Sequence, residues 1–384
     1  MKVSIVVPAL NEELTIGEFV DWCKEGLSKV EGGGEIIIVD SSTDRTPEIA
    51  EEHGARVLRV PKRGLGRAYI DALHEIHGKY VIMGDCDLTY DFREIDKFVE
   101  KLDEGYEYVM GTRMKGYIED GAMPKLHRYF GTPLTTWILN RMYGSKYSDI
   151  HCGMRAMTLD ALKKIDLESQ SWEYASEMVL KAAKLKLKTA EVPIRFYKDR
   201  EGRVSQHKRM GWFSPWLAGW INLKVMFEYA PSFFLKWPGI LSLTTGLIIT
   251  LLVIGGMFTP VLSRFNIAWL TASLMLVTVG YSAWQLSVLA DVYYGFDSDF
   301  RERFKKKLTY NRGVLSGFTF MFIGAVILVS FFVFYVMNGF ALMKVYFTPL
   351  FGVMFMVFGF QTFTFTLLTR MLYKRGYSEK NEGR

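Results

Sequence analysis

The sequence predicts an α/β domain with a mostly parallel sheet, then interfacial amphipathic helices, then an α-helical membrane domain of four spans. Three observations carry this. Short β-branched apolar runs alternate with helical stretches between residues 3 and 111, the pattern of strands joined by crossover helices. Basic residues mix with tryptophan between residues 195 and 237. The windows 237–263, 265–290, 313–343 and 345–369 contain no Asp, Glu, Lys or Arg. Each is longer than the roughly 20 apolar residues that a membrane-spanning helix needs, which argues against a purely soluble protein.

In order along the chain, Val3–Val7 (VSIVV) reads as a first buried strand and residues 12–29 as a helix. Glu35–Val39 (EIIIV) is a second strand, stopped by Asp40-Ser41-Ser42, with a helix over 46–53. Arg56–Val60 is a third strand, followed by a helix over 65–77. Tyr80–Met83 (YVIM) is a fourth, stopped by Asp85-Cys86-Asp87, with a helix over 93–103; Tyr106–Gly111 is a fifth. Right-handed crossovers make such a sheet parallel. Open sheets of this kind bind ligands beyond the carboxyl ends of their strands, and Asn11, Asp40, Asp85, Asp87 and Arg113 fall at those ends.

Residues 122–147 and 207–232 are amphipathic and rich in aromatic and basic side chains. From Arg195 to Lys236 there are eight Lys or Arg against three acids, with Trp212, Trp216, Trp220 and Trp237 in the same stretch. That mixture, just ahead of a span, suits an anionic headgroup layer. The spans are expected at about 238–256, 267–290, 314–336 and 346–370. The loop between the second and third carries Arg301, Arg303, Lys305, Lys306, Lys307 and Arg312, whereas the other two carry only Arg264 and Lys344. The positive-inside rule then puts residues 1–236, that basic loop and the tail in the cytoplasm. Expected domains are 1–205 (catalytic), 206–236 (interfacial), 237–372 (transmembrane) and 373–384 (cytosolic tail). Cys23, Cys86 and Cys152 are widely spaced, so neither a disulfide framework nor a zinc site is expected. The run MKVSIVVPALNEE is too short and turns acidic too soon for a signal peptide. The net charge of +6 points to an acidic partner without choosing one.

The strongest motif is Asp85-Cys86-Asp87. Two carboxylates one residue apart at a strand end can hold Mg²⁺ or Mn²⁺, and Thr89 can lend a further oxygen. Pro8-Ala9-Leu10-Asn11-Glu12 can seat a nucleoside, or it can be a helix start with Asn11 as cap. Asp40 can reach a base or ribose, while Asp44 or Thr46 caps a helix. Lys62-Arg63-Gly64-Leu65-Gly66-Arg67 offers cations and close backbone approach to phosphate, but not the spacing of a dinucleotide fold. His151 is read as a structural hydrogen-bonding group, with a ligand contact as the alternative, and Glu173 and Glu177 as acids that hold neighbouring arginines or face water.

VSIVVPALNEE, IIIVDSSTDRT, KRGLGRAY, VIMGDCDLTYD and VMGTR, in this order, resemble family 2 glycosyltransferases of the GT-A fold. HRYFGT at 127–132, SDIHCGMR at 148–155 and EVPI at 191–194 resemble the polyprenyl-phosphate branch, the dolichol-phosphate mannose and glucose synthases. The resemblance implies a nucleoside-binding turn at Pro8, Ala9, Asn11 and Glu12 and a base- or ribose-contacting acid at Asp40. It implies a donor-and-metal motif at Asp85, Cys86 and Asp87, with Gly66 beside the donor. It implies a phosphate-binding arginine at Arg113, an acceptor-phosphate pair at Arg128 and Thr132, and a loop from Arg200 to Ser205 that closes over the donor. Asp87, Arg113 and Arg128 are the expected catalytic group. The expected partners are a nucleotide sugar, dolichyl or polyprenyl phosphate and the bilayer, with no nucleic acid; a homo-oligomer is compatible with the sequence. Departures are Ser41 in place of a second Asp, Thr89 in place of a Gln, and an irregular 200–206 loop. Gln206-His207-Lys208-Arg209 begins like the Gln-x-x-Arg-Trp box of processive polysaccharide synthases, but Met210 stands where Trp belongs. A processive synthase, and a non-catalytic lipid-linked sugar flippase or scaffold, are the alternatives.

Overall fold

The apolar runs form a seven-stranded sheet whose central strands are dry on both faces. The computed structural model describes residues 1–200, 202–203, 220, 224, 227, 231–258, 266–294, 303, 304, 306, 309–340 and 347–382, with side chains as far as 374. Expectations for Ser205 and for nearly all of the 206–230 interfacial stretch lie outside the described residues. Two units are distinguished, Met1–Tyr229 and Ala230–Arg384.

In the first unit β1 (Val3–Ala9), α1 (Ile16–Ser28), β2 (Gly34–Asp40), α2 (Thr46–Glu52), β3 (Arg56–Arg59), α3 (Leu65–Ala72) and β4 (Tyr80–Met83) follow the expected alternation. Then come α4 (Asp96–Asp103), β5 (Tyr108–Ile118), α5 (Thr132–Tyr143), β6 (Arg155–Thr158), α6 (Leu159–Ile165), α7 (Tyr174–Lys184) and β7 (Thr189–Phe196). Val3, Ile5, Val6 and Val7 of β1 and Ile37, Ile38 and Val39 of β2 have no solvent exposure. Burying each such side chain stabilises the sheet by roughly 1.5–3 kcal/mol. That explains the unbroken apolar runs: a strand covered on both faces has no polar face to alternate with.

The strand order is β3-β2-β1-β4-β6-β5-β7. β1, β2, β3 and β4 are mutually parallel, and β5 is parallel to β7. β6 alone runs antiparallel to both its neighbours. The sequence reading contains neither β6 nor β7. β6 is only four residues long, too short for its own periodicity. Its reversal matters for the site: Arg155 at its start pairs with Met83 and Met110. The segment leading into β6 therefore arrives at the edge where the parallel strands end.

The second unit holds α8 (Pro231–Phe258), α9 (Ile267–Tyr294), α10 (Tyr310–Met337) and α11 (Phe347–Glu382). All four are long and apolar enough to cross a membrane. Glycines let them approach closely. A Cβ on Gly280 would lie 2.4 Å from the Leu243 nitrogen of α8, and one on Gly359 would lie 2.6 Å from the Gly317 oxygen of α10. Small residues at such contacts are how helices associate where lipid removes the hydrophobic driving force. A polar seam joins the two pairs: the Tyr281 and Thr362 hydroxyls are 2.9 Å apart, and Gln361 donates to the Ser282 hydroxyl at 2.7 Å.

Candidate active site

The site is built from three turns at the carboxyl edge of β1, β2 and β4. After β1, Asn11 takes a left-handed backbone (φ 56°), which asparagine tolerates better than most residues. Its amide N–H donates to the Ser42 hydroxyl at 2.8 Å, and its Oδ1 accepts from the Thr43 amide at 2.9 Å. The Glu12 amide donates to the Thr46 hydroxyl at 2.8 Å. Asn11 is thus no helix cap, since α1 starts at Ile16; it stitches the first turn to the second. The Thr46 amide donates to Asp44 Oδ1 at 3.0 Å just ahead of α2, whose N-cap position is Arg45 and neither Asp44 nor Thr46. Ala9 is buried, and its carbonyl accepts from the Ser41 amide at 3.1 Å. The Pro8 carbonyl accepts a weak bond from the Cys86 thiol at 3.6 Å.

Asp40 is fully buried; its Oδ2 pairs with Arg59 and accepts from the Ser42 amide at 3.1 Å, which holds the second turn in shape. Its Oδ1 has no hydrogen-bond partner among the described residues. Gly66 is committed to its own chain. A Cβ there would lie 2.1 Å from the Ser169 carbonyl oxygen, so its missing side chain makes room for the loop before α7. That loop hangs on Glu177, which accepts from the amides of Glu168 and Ser169 at 3.0 and 2.8 Å and pairs with Lys181 at 2.6 Å. Glu177 is fully buried and holds a lysine, in place of the arginine or water expected.

Asp85 and Asp87 bracket the third turn, both half-buried. Between them and Thr89, Leu88 takes φ 64°, a backbone that leucine adopts only under strain of ~1–3 kcal/mol. The Thr89 amide and hydroxyl both donate to Asp87 Oδ1, at 3.0 and 2.5 Å. They fix the Asp87 carboxylate through that oxygen, while Oδ2 lies 3.3 Å from Arg203 Nη1. On the other side Asp85 abuts the Gly153 backbone, where a Cβ would lie 2.6 Å from Oδ2. Burial, and then the charge of Asp87, push the Asp85 carboxyl up to about 7. Glu12 adds a third acid, bridged to Asp87 by Arg203. Among the described residues no group of three or more His, Cys, Asp or Glu forms a ready metal cage. Two carboxylates crowded against one another nevertheless fit a hard divalent cation that takes its other ligands from substrate oxygens.

Arg113 is not a free cation. It is buried, its Nε and Nη2 donate to the two Asp149 oxygens at 2.7 and 2.9 Å, and its own amide donates to Asp149 Oδ2 at 3.1 Å. Burial alone would raise the Asp149 carboxyl, but the adjacent guanidinium overrides it and holds it below the usual carboxylate range. The pair anchors the segment leading into β6. In that segment His151 Nε2 lies 2.8 Å from the Thr135 hydroxyl of α5, the structural bond expected of it. Burial pulls the imidazole down to about 4, so it is neutral at physiological pH. Arg128 sits in a π-helical turn (His127–Gly131) running into α5, where Thr132 is buried. Its guanidinium lies 5.5 Å from the Tyr129 ring centre and makes no ion pair with a carboxylate among the described residues. Around it Leu126, Tyr129, Phe130, Leu134 and Trp137 are exposed. Arg200 pairs with Glu18 of α1, away from the Asp85–Asp87 turn; the arginine that reaches that turn is Arg203. The family resemblance pointed to Arg200 with the Gly202–Ser205 stretch, and nothing local singles out Arg203 within it.

Residues 4–166 match the model of glycosyl transferase family 2, and residues 286–373 match the family 2 C-terminal transmembrane region. The low-salt glycan biosynthesis hexosyltransferase Agl6 of Haloferax volcanii is 40% identical over 237 residues, 62% of this chain and 55% of that protein. The chain thus spans little more than half the length of that relative. Two further relatives from that organism are each 31% identical: glycosyltransferase AglJ (65% of this chain, 80% of the relative) and a dolichyl-phosphate hexose transferase (52% and 85%). Among solved structures, the Mycobacterium tuberculosis glucosyl-3-phosphoglycerate synthase bound to Mn²⁺, UDP and glucosyl-3-phosphoglycerate is similar at 23% identity, with a TM-score of 0.46 over 59% of this chain and 79% of that one. The chain belongs to glycosyltransferase family 2, and its C-terminal part matches that family's transmembrane region.

Proposed function

We propose that this enzyme transfers a hexose from a nucleotide-diphosphate sugar to dolichyl or polyprenyl phosphate, with inversion at the anomeric carbon. The observation that carries the reading is the Asp85–Asp87 turn, two crowded carboxylates of which Asp87 is fixed through Oδ1 by Thr89. It stands in a chain that also supplies four membrane-length helices. The name of the dolichyl-phosphate hexose transferase supports the acceptor class. UDP-glucose is the favoured donor, followed by GDP-mannose, on the likeness of residues 148–155 to the polyprenyl-phosphate branch.

Asp85 and Asp87 would hold Mg²⁺ or Mn²⁺, which supplies charge stabilisation to the departing nucleoside diphosphate. The turn of Pro8, Ala9, Asn11 and Glu12 would seat the nucleoside. The acceptor phosphate is already an anion at neutral pH, so no strong base is required. What it requires is a cation to hold it against a negatively charged donor. Arg128, with no carboxylate partner among the described residues, is suited to that task, with Thr132 beside it in the chain. Arg113 acts through Asp149 as a positioning residue. The exposed apolar face from Leu126 to Trp137 suits the headgroup boundary in which the acceptor resides. The basic 291–313 loop supports a cytoplasmic catalytic unit and tail.

The test incubates the purified full chain with labelled nucleotide hexoses, Mg²⁺ and polyprenyl phosphate, followed by solvent extraction. Label should enter the lipid phase from one donor, and Asp87→Ala should abolish transfer without lowering the melting temperature. Label that never enters the lipid phase, or that accumulates as water-soluble polymer, refutes the reading.

A further inference from the structure

Arg203 lies among three carboxylates drawn from three separate segments. Its Nε and Nη2 donate to the two oxygens of Glu12 at 2.7 and 2.6 Å, a bidentate clamp on the turn after β1. Its Nη1 donates to Asp199 Oδ1 at 2.9 Å and lies 3.3 Å from Asp87 Oδ2. The side chain is only 14% exposed, so these contacts are shielded better than those of a surface ion pair. The Asp87 oxygen it approaches is the one that Thr89 leaves unclaimed. A guanidinium cannot substitute for a divalent ion as a Lewis acid, but it can offset negative charge at the same oxygen.

We propose that Arg203 is the resident counter-cation of the metal-free site: it latches Glu12 to Asp87 while no divalent ion is bound, and it must draw off Asp87 as the ion enters. The inference rests on the reading of Asp85 and Asp87 as the metal-holding pair. Two positive centres facing one carboxylate repel each other, and in a partly desolvated site that repulsion is weakly screened. Arg203 and the metal are therefore antagonists, and each weakens the other's hold by the same factor. The wild-type site is stable when empty because it already contains a cation, and for the same reason it binds a bare divalent ion poorly. The residue nearest the family's loop pattern, Arg200, does not share this role, since its partner is Glu18.

The test measures binding, not turnover. Free Mn²⁺ is titrated by electron paramagnetic resonance against the purified full chain in detergent, without nucleotide. Arg203→Gln should tighten Mn²⁺ binding by about tenfold or more, because removing one charge a few ångströms away outweighs solvent compensation. Arg203→Lys keeps the charge but loses the fork, so its affinity should fall between wild type and Arg203→Gln. It carries the test if Arg203→Gln does not fold. Mn²⁺ binding that is unchanged or weaker in the folded variants overturns the latch and leaves the metal site standing. Absence of Mn²⁺ binding from wild type and variants alike, with UDP added as well as without, overturns both the latch and the metal reading.

Discussion

Thr89 illustrates how one hydroxyl can matter without touching substrate. It gives both its donors to Asp87 Oδ1, which fixes the rotamer of the carboxylate and decides which oxygen remains for a cation. Groups that orient a metal ligand typically contribute a 10–100-fold effect on affinity or activity. Thr89→Val keeps the shape and the amide bond but removes the hydroxyl donor. It should lower kcat/KM at limiting Mg²⁺ by about tenfold, and raising Mg²⁺ should restore part of the loss. A variant with unchanged Mg²⁺ dependence would show that the hydroxyl is dispensable. Leu88, held at φ 64° one residue away, is further reason to regard this turn as constrained: strained backbone persists only where its surroundings over-determine it.

At the level of elements, the reversed strand β6 is what makes the edge a site. Because it begins where β4 and β5 reach the carboxyl edge, its lead-in sets Gly153 against Asp85 and Asp149 against Arg113. The Arg113–Asp149 pair fastens that lead-in to β5. Asp149→Asn would leave a buried guanidinium without its counter-charge, a change that costs about 3–5 kcal/mol. The full chain in detergent should therefore unfold at markedly lower temperature or denaturant concentration at pH 7. The pH dependence has a definite sign. Asp149's native carboxyl lies below its ordinary value. The stability it contributes is therefore complete above the unfolded value near ~4 and disappears as pH falls through the native one. The variant's deficit should shrink over that acid range; a deficit independent of pH would contradict the assignment.

For the whole molecule, the pertinent prediction concerns sidedness. Cys23, Cys86 and Cys152 are all buried, so single introduced cysteines give a clean readout. If the basic loop shares the cytoplasm with the catalytic unit, Ser298→Cys should react with an impermeant maleimide only after cells are permeabilised, and Ser263→Cys should react in intact cells. The reverse labelling pattern would invert the topology and place the acceptor-binding face on the opposite leaflet.

The alternation of apolar strands and helices, the charge-free windows and the two acids at the end of β4 were all legible along the chain, because each depends on neighbours within a few residues. Periodicity reports burial, and a run of apolar residues of the right length reports a bilayer. The intramolecular partners of Asp40, Gly66, Thr89 and Arg113 were not legible, since each comes from the fold and not from the local run. Arg59, Ser169, Asp87 and Asp149 are 19, 103, 2 and 36 positions away respectively. Even the nearest of these contacts depends on a turn geometry that composition does not reveal. The same holds for Arg203, which is 191 residues from Glu12. Local pattern establishes which groups exist and on which edge they emerge. Which of them keep a charge available for a substrate is settled by the partners that the sheet's crossovers and its one reversed strand bring within hydrogen-bonding distance.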